Sequence, residues 1–190
     1  NEIEVTVKGS AIDIAIKDGA LFGYDFSTRS NSESDHTIIN NGVKMEIKGA
    51  NWSSNGFIDY LNERSLRIAE NVTAEILDYR PFGNPSVESA SGCAFQFAFA
   101  TKNIKEASSK LIECYDADSG AGFYVCGNKV AIFCKTGQPA LVERSFKNGE
   151  KHTMAIVVEP STIFVTRGGS NYSCMKLYLD GEEVGCIGYI

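Results

Sequence analysis

The sequence predicts an all-β protein, an antiparallel β-sandwich of two sheets. Three observations carry that expectation. Short runs alternate apolar and polar residues with a period of two; Gly, Asn, Asp or Pro punctuates them; and no run keeps a helical period over twelve residues. Cys93, Phe95, Phe97 and Phe99 alternate with Ala94, Gln96, Ala98 and Ala100, and His152, Met154, Ile156 and Val158 alternate with Thr153, Ala155, Val157 and Glu159. A period of two sends neighbouring side chains to opposite faces of a sheet, so each run buries one face. Strands too narrow to stand alone hide those faces against a second layer.

In chain order, Ile3, Val5 and Val7 form a weak first strand, and Ile12, Ile14 and Ile16 a clearer second one that turns at Lys17-Asp18-Gly19. Residues 27–41 are polar and predict a loop closed by Asn40-Asn41-Gly42, since Ser, Asn and Asp bond their own backbone in turns. Val43, Met45 and Ile47 then face a core while Lys44, Glu46 and Lys48 face water. Leu66 and Ile68 lead through Glu70-Asn71 into Val72, Ala74 and Ile76, a hairpin pattern. Pro81 and Pro85 end it, because proline cannot donate to a sheet ladder. Residues 104–109 fit one helical turn. Three strands follow at 111–115, 122–126 and 129–135, the last two joined at Gly127-Asn128. Met175, Leu177 and Leu179 begin a final hairpin that turns at Asp180-Gly181, where positive φ is readily supplied.

At 190 residues the expectation is one domain, 1–190. A chain of that length buries roughly 70% of its extended surface, so neither disulfide nor metal is required to hold a core. The net charge is −6 and the eighteen basic residues are scattered, which argues against a nucleic-acid partner. No apolar stretch approaches the roughly 20 residues that span a bilayer, so no membrane insertion is expected. The chain starts at Asn1-Glu2-Ile3 and ends in strand-like sequence at Ile190, the pattern of a module cut from a longer polypeptide. Of the six cysteines, Cys93, Cys126, Cys134, Cys174 and Cys186 sit in or beside strand patterns and are expected to be reduced and buried, with a disulfide as the alternative. There is no CxxC and no His beside a Cys pair, so zinc and redox sites lack their spacing.

Asn148-Gly149-Glu150-Lys151-His152-Thr153-Met154, followed by Lys176-Leu177-Tyr178-Leu179-Asp180-Gly181-Glu182-Glu183-Val184-Gly185, resembles the paired strands of laminin-G-like and concanavalin-A-like domains. A longer resemblance runs through Arg29-Ser30-Asn31-Ser32, Ala50-Asn51-Trp52-Ser53-Ser54-Asn55-Gly56-Phe57, Leu66-Arg67-Ile68, Tyr79-Arg80-Pro81-Phe82, the Phe95–Ala100 run and Gly122-Phe123. In that order they are similar to concanavalin-A-like modules in virion proteins of gut bacteriophages, the crAss-like phages included. The resemblance implies a jelly-roll topology and a structural or adhesive part of a virion, made in a bacterial cytoplasm and exposed extracellularly. Other virion subunits would be its partners. The family usually continues with a further strand after the last hairpin, whereas this sequence stops at Ile190, so the expectation is either that the module was trimmed or that a partner supplies that strand.

Trp52, the only tryptophan, lies in an Asn- and Ser-rich stretch with Asn55. An exposed ring flanked by amides suits sugar, the ring stacking on C–H faces while amides bond hydroxyls; the other reading is a core anchor near a strand corner. Tyr115, Asp118 and Tyr124 join Trp52 and Asn55 as candidate ligand-binding residues for a bacterial surface glycan. Asp116-Ala117-Asp118-Ser119-Gly120 has the alternating oxygens of half a calcium loop, but Cys126 stands where the bidentate acid belongs. A strand-connecting turn is the plainer reading, so no cofactor is expected, with calcium at Asp116 and Asp118 the alternative. His36 and His152 have no neighbour suggesting a nucleophile–base pair, and no ExDxxE run places two acids on one cleft face. The expected function is a non-enzymatic structural or adhesion module of a phage virion, in tail, fibre or head appendage. A lectin-like module recognising host-surface glycan is the alternative, and a polysaccharide-degrading enzyme stands behind both.

Overall fold

The computed structural model describes residues 21–32, 36–52, 54–77, 93–102, 104, 108–117, 120–160 and 173–189. The strands expected around Ile3–Val7 and Ile12–Lys17, the Tyr79–Phe82 motif and residues 105–107 of the helical turn expected at 104–109 lie outside them. Thirteen strands, all paired antiparallel, make up the regular structure among the described residues, and they fall into two compact units, residues 1–79 and 80–190.

The first unit contains β1 (Thr37–Asn40), β2 (Val43–Lys48), β3 (Phe57–Tyr60), β4 (Glu63–Leu66) and β5 (Thr73–Leu77). β1, β2 and β5 make a three-stranded sheet in that order, and β3 pairs with β4. Tyr24, Ile38, Ile47, Trp52 and Phe57 are the buried centre, with Val43, Met45, Leu66 and Ile76 packed around it. The segment before β1 is tied on by side chains: Asn40 Oδ1 accepts from the Gly23 amide, Asn41 Nδ2 donates to the Leu21 carbonyl, and the Tyr24 hydroxyl donates to the Val43 carbonyl.

Two expectations are corrected in this unit. The polar stretch 27–41 is not loop throughout, because Thr37–Asn40 pairs with β2 and buries Ile38. The hairpin joining Leu66 to Val72 through Glu70-Asn71 does not form: β4 pairs with β3 and β5 pairs with β2. The turn that matters is Leu61-Asn62, with φ of 50° and 64°. Two consecutive positive φ values give a tight hairpin turn whose twist matches the strands. Leucine rarely adopts that conformation, so the sequence hides it.

The second unit contains β6 (Cys93–Ala100), β7 (Lys110–Tyr115), β8 (Ala121–Cys126), β9 (Lys129–Cys134), β10 (Leu141–Ser145), β11 (Lys151–Pro160), β12 (Ser173–Leu179) and β13 (Glu182–Tyr189). They form two four-stranded sheets, ordered β10-β9-β8-β7 and β13-β12-β11-β6. One core joins the sheets: Phe123, Val125, Val130 and Ile132 come from the first, and Met154, Ile156, Met175, Leu177 and Ile187 from the second. Phe95, Phe97 and Phe99 pack against the same core, so the alternation along β6 faces the way its period demands. The β12–β13 turn has φ of 52° at Asp180 and 81° at Gly181. β10 is absent from the sequence expectation because Leu141–Ser145 exposes four of its five residues and has no apolar stripe.

Cys174 and Cys186 form a disulfide, which corrects the expectation of reduced thiols for this pair. Cys174 lies opposite Gly188 and Cys186 opposite Lys176, so the two are diagonal neighbours on β12 and β13, with Cα atoms 6.5 Å apart. Both alternate with the buried Met175 and Ile187 and therefore face away from the core. Cys114, Cys126 and Cys134 are thiols; Cys134 is buried as expected, whereas Cys126, expected to be buried, is half-buried at the end of β8. The flank of β13 turned away from β12 meets Gln138, whose amide donates to the Gly188 carbonyl at 2.9 Å and whose carbonyl accepts from the Gly188 amide at 3.3 Å.

Candidate functional site

The expected ligand residues divide between the units. Trp52 and Asn55 belong to the first, Tyr115 and Tyr124 to the second, and Asp118 lies outside the described residues.

Trp52 is 8% exposed. Its ring packs against Phe57 at 5.4 Å between centroids and stacks on His36 at 5.2 Å, with 25° between planes. Gly56 lies so close that an added Cβ would come within 2.6 Å of the indole. Residues 51 and 54–57 are held by hydrogen bonds. The Asn55 amide donates to the Asn51 carbonyl, and Asn31, 26 positions before Phe57, clamps the other end. Asn31 Oδ1 accepts from the Phe57 amide at 2.7 Å, and its Nδ2 donates to the Ser54 and Phe57 carbonyls. The Asn31 side-chain amide thus bonds backbone, and the indole fills the core.

Tyr115 and Tyr124 stand on the outer face of the β7–β10 sheet. The register aligns Tyr115, Gly122, Phe133 and Leu141 as one row across all four strands. The next row is Glu113, Tyr124, Ala131 and Glu143. Alternation places both rows opposite the buried Phe123, Val125, Val130 and Ile132. Tyr115 is 51% exposed and Leu141 45%. Phe133 joins the tyrosines: its ring centroid is 5.9 Å from that of Tyr115, with 24° between planes, and 5.7 Å from that of Tyr124. Gly122 supplies no side chain to the row, so Phe133 lies over it.

Ion pairs flank the rings. Lys110 Nζ lies 2.9 Å from Glu113 Oε1, and Lys129 Nζ lies 3.1 Å from Glu143 Oε1. Burial, and then the Glu143 carboxylate, push the Tyr124 phenol above its ordinary value, so its hydroxyl stays protonated and both donates and accepts. Glu113 and Glu143 lie on the two outer strands of the sheet, three strand spacings or roughly 14 Å apart at the backbone.

At the calcium candidate, the Asp116 amide donates to the Ala121 carbonyl, and the Asp116 carbonyl accepts from the Gly120 amide at 2.8 Å. These bonds close a turn between β7 and β8, with Gly120 at φ 68°. Among the described residues no three His, Cys, Asp or Glu side chains gather as a metal site requires.

Phe133 and Leu141 are the residues that sequence reasoning missed. Only the register brings them into line with Tyr115. Compared with family models, curated proteins and solved structures, the chain matches none.

Proposed function

We propose that this chain is a non-enzymatic adhesion module whose contact surface for sugars is the outer face of the β7–β10 sheet. The observation that carries the reading is the row Tyr115–Gly122–Phe133–Leu141, exposed at Tyr115 and Leu141 with a half-buried Phe133 between them and a half-buried Tyr124 beside it. Isolated exposed hydrophobics are ordinary on a protein surface, but aromatic rings grouped on a flat sheet are what sugar C–H faces stack on. Tyr hydroxyls and the flanking Glu–Lys pairs supply donors and acceptors for sugar hydroxyls. The platform role weighed for Trp52 passes to Tyr115 and Phe133, since the indole is occupied on the inside of the first unit.

The sequence resemblance supplies the setting: a jelly-roll module displayed on a phage particle and held there by neighbouring virion subunits, touching bacterial surface glycan. The two-sheet core of the second unit suits such a part, because it leaves an entire sheet face for contact while the other face fills the interior.

Fluorescently labelled protein added to bacterial cells tests the reading. Retention on encapsulated cells, competed by their purified surface polysaccharide and reduced by Tyr115→Ala, is the expected result. Retention unchanged by removing the polysaccharide would overturn it and favour a protein contact within the particle.

A further inference from the structure

We infer that His152 is held as an imidazolium and works as a proton-dependent latch joining three segments of the second unit. The inference stands apart from sugar binding. It rests on what the two ring nitrogens face. Nδ1 lies 2.8 Å from Asp180 Oδ2, in the β12–β13 turn. Nε2 lies 2.8 Å from the backbone carbonyl oxygen of Lys147, in the segment between β10 and β11. A carboxylate and a carbonyl both only accept, whereas a neutral imidazole carries a single N–H. With one proton, one nitrogen would turn a lone pair toward an oxygen lone pair at hydrogen-bond distance. With two, both contacts are bonds, and one is charge-assisted.

The surroundings make the latch structural. His152 is 7% exposed, and its ring contacts Phe99 at 5.8 Å and Phe146 at 5.2 Å. The charged groups acting on it are Asp180, from the turn, and Glu150, from the segment before β11; β6 contributes the aromatic Phe99. Asp180 does more than hold the ring. Its Oδ1 accepts from the Thr153 amide at 2.9 Å, and its own amide donates to the Thr153 carbonyl at 2.8 Å. On the other side, the Gly149 amide donates to the Thr101 carbonyl, and the Thr101 hydroxyl meets Asn148 Oδ1 at 2.6 Å. One proton therefore helps fix the end of β6, the 146–150 segment and the last hairpin together.

Burial lowers the affinity of the ring for its second proton, but the bonds to Asp180 and Lys147 and the charges of Asp180 and Glu150 outweigh it, so the folded pKa is raised. A raised folded value means the folded chain binds the proton more tightly than the unfolded one. The stabilisation is complete below the ordinary imidazole value and is lost as pH rises through the folded value.

The test is a nitrogen-15 NMR titration of the histidine side chains from about pH 5 to about pH 10, alongside denaturant unfolding of the whole chain at each pH. Both His152 nitrogens are expected to carry protons at neutral pH, with the ring titrating above a free imidazole. The unfolding constant is expected to rise with pH, tenfold for each unit separating folded and unfolded values. Asp180→Asn keeps the turn's size and an acceptor for Thr153, and is expected to lower the His152 titration and flatten that rise. A singly protonated His152 ring at neutral pH in the native protein would overturn the inference, whether or not the variant folds. An Asp180→Asn profile with the slope of the native protein would overturn it as well.

Discussion

Gly122 lies beneath Phe133: a Cβ placed on Gly122 would collide with the Phe133 ring and with the Cys114 carbonyl oxygen. The two residues are cross-strand partners on β8 and β9, and Tyr115 is Gly122's partner on the other side. A glycine loses more freedom on folding than any other residue and has nothing to pack, so a sheet keeps it where another group needs its space. Covering a strand glycine with an aromatic ring is also a way to stabilise the sheet, so Phe133 serves the fold as well as the outer face.

Gly122→Ala is therefore expected to cost about 1–3 kcal/mol of stability, the usual price of overpacking, because the Cys114 carbonyl cannot move without disturbing β7. The same change should displace the Phe133 ring and weaken sugar binding. The midpoint of denaturant unfolding, at unchanged slope, measures the first effect.

Tyr115→Ala is expected to behave differently. Its side chain is half in water, so stability should fall by no more than about 0.5 kcal/mol. Affinity for a surface polysaccharide should fall about tenfold, the equivalent of about 1.4 kcal/mol for one lost stacking partner. Calorimetric titration separates this pattern from that of Gly122→Ala, which should lose both.

Leu177 is wholly buried between the sheets of the second unit. Leu177→Ala should cost about 2–5 kcal/mol through lost transfer energy and the cavity left behind. An unfolding curve unmoved by this change would contradict the shared core.

Asn31 makes three hydrogen bonds to backbone of the 54–57 stretch. Asn31→Ala leaves the Phe57 amide without its acceptor, at about 1–3 kcal/mol. Trp52, the only tryptophan, reports the result directly. Its emission is expected to shift to the red as the turn over the indole loosens, and an unchanged spectrum would contradict the clamp.

Period-two alternation made β2, β6, β11 and β12 legible, because each turns one face toward a core, whereas β8 and β9 were legible as short strand-like runs joined at Gly127-Asn128. β10 escaped because Leu141–Ser145 exposes most of its side chains, and only its pairing with β9 defines it. The β3–β4 hairpin escaped because its turn places a leucine at positive φ. Asn40-Asn41-Gly42 was legible as a turn, but that Asn40 and Asn41 also satisfy the backbone of residues 21–23 depends on contacts between distant segments. For the site, residue type alone singled out Tyr115 and Tyr124. Their grouping with Phe133 and Leu141 is a product of strand register, which a single sequence does not encode locally. Trp52 illustrates the converse: its Asn- and Ser-rich neighbours suggest a wet loop, and Asn51 and Ser54 are exposed, yet the ring itself is buried against Phe57 and His36.

The most direct measurement is a glycan-array screen of bacterial capsule and mucin sugars with the native chain, a Tyr115→Ala/Phe133→Ala double variant and Trp52→Phe. Binding to a defined glycan that the double variant loses and Trp52→Phe keeps is the predicted result. Binding lost with Trp52→Phe but kept by the double variant, or no binding by the folded native chain to any sugar, would contradict the outer face of the β7–β10 sheet as a sugar-contacting surface.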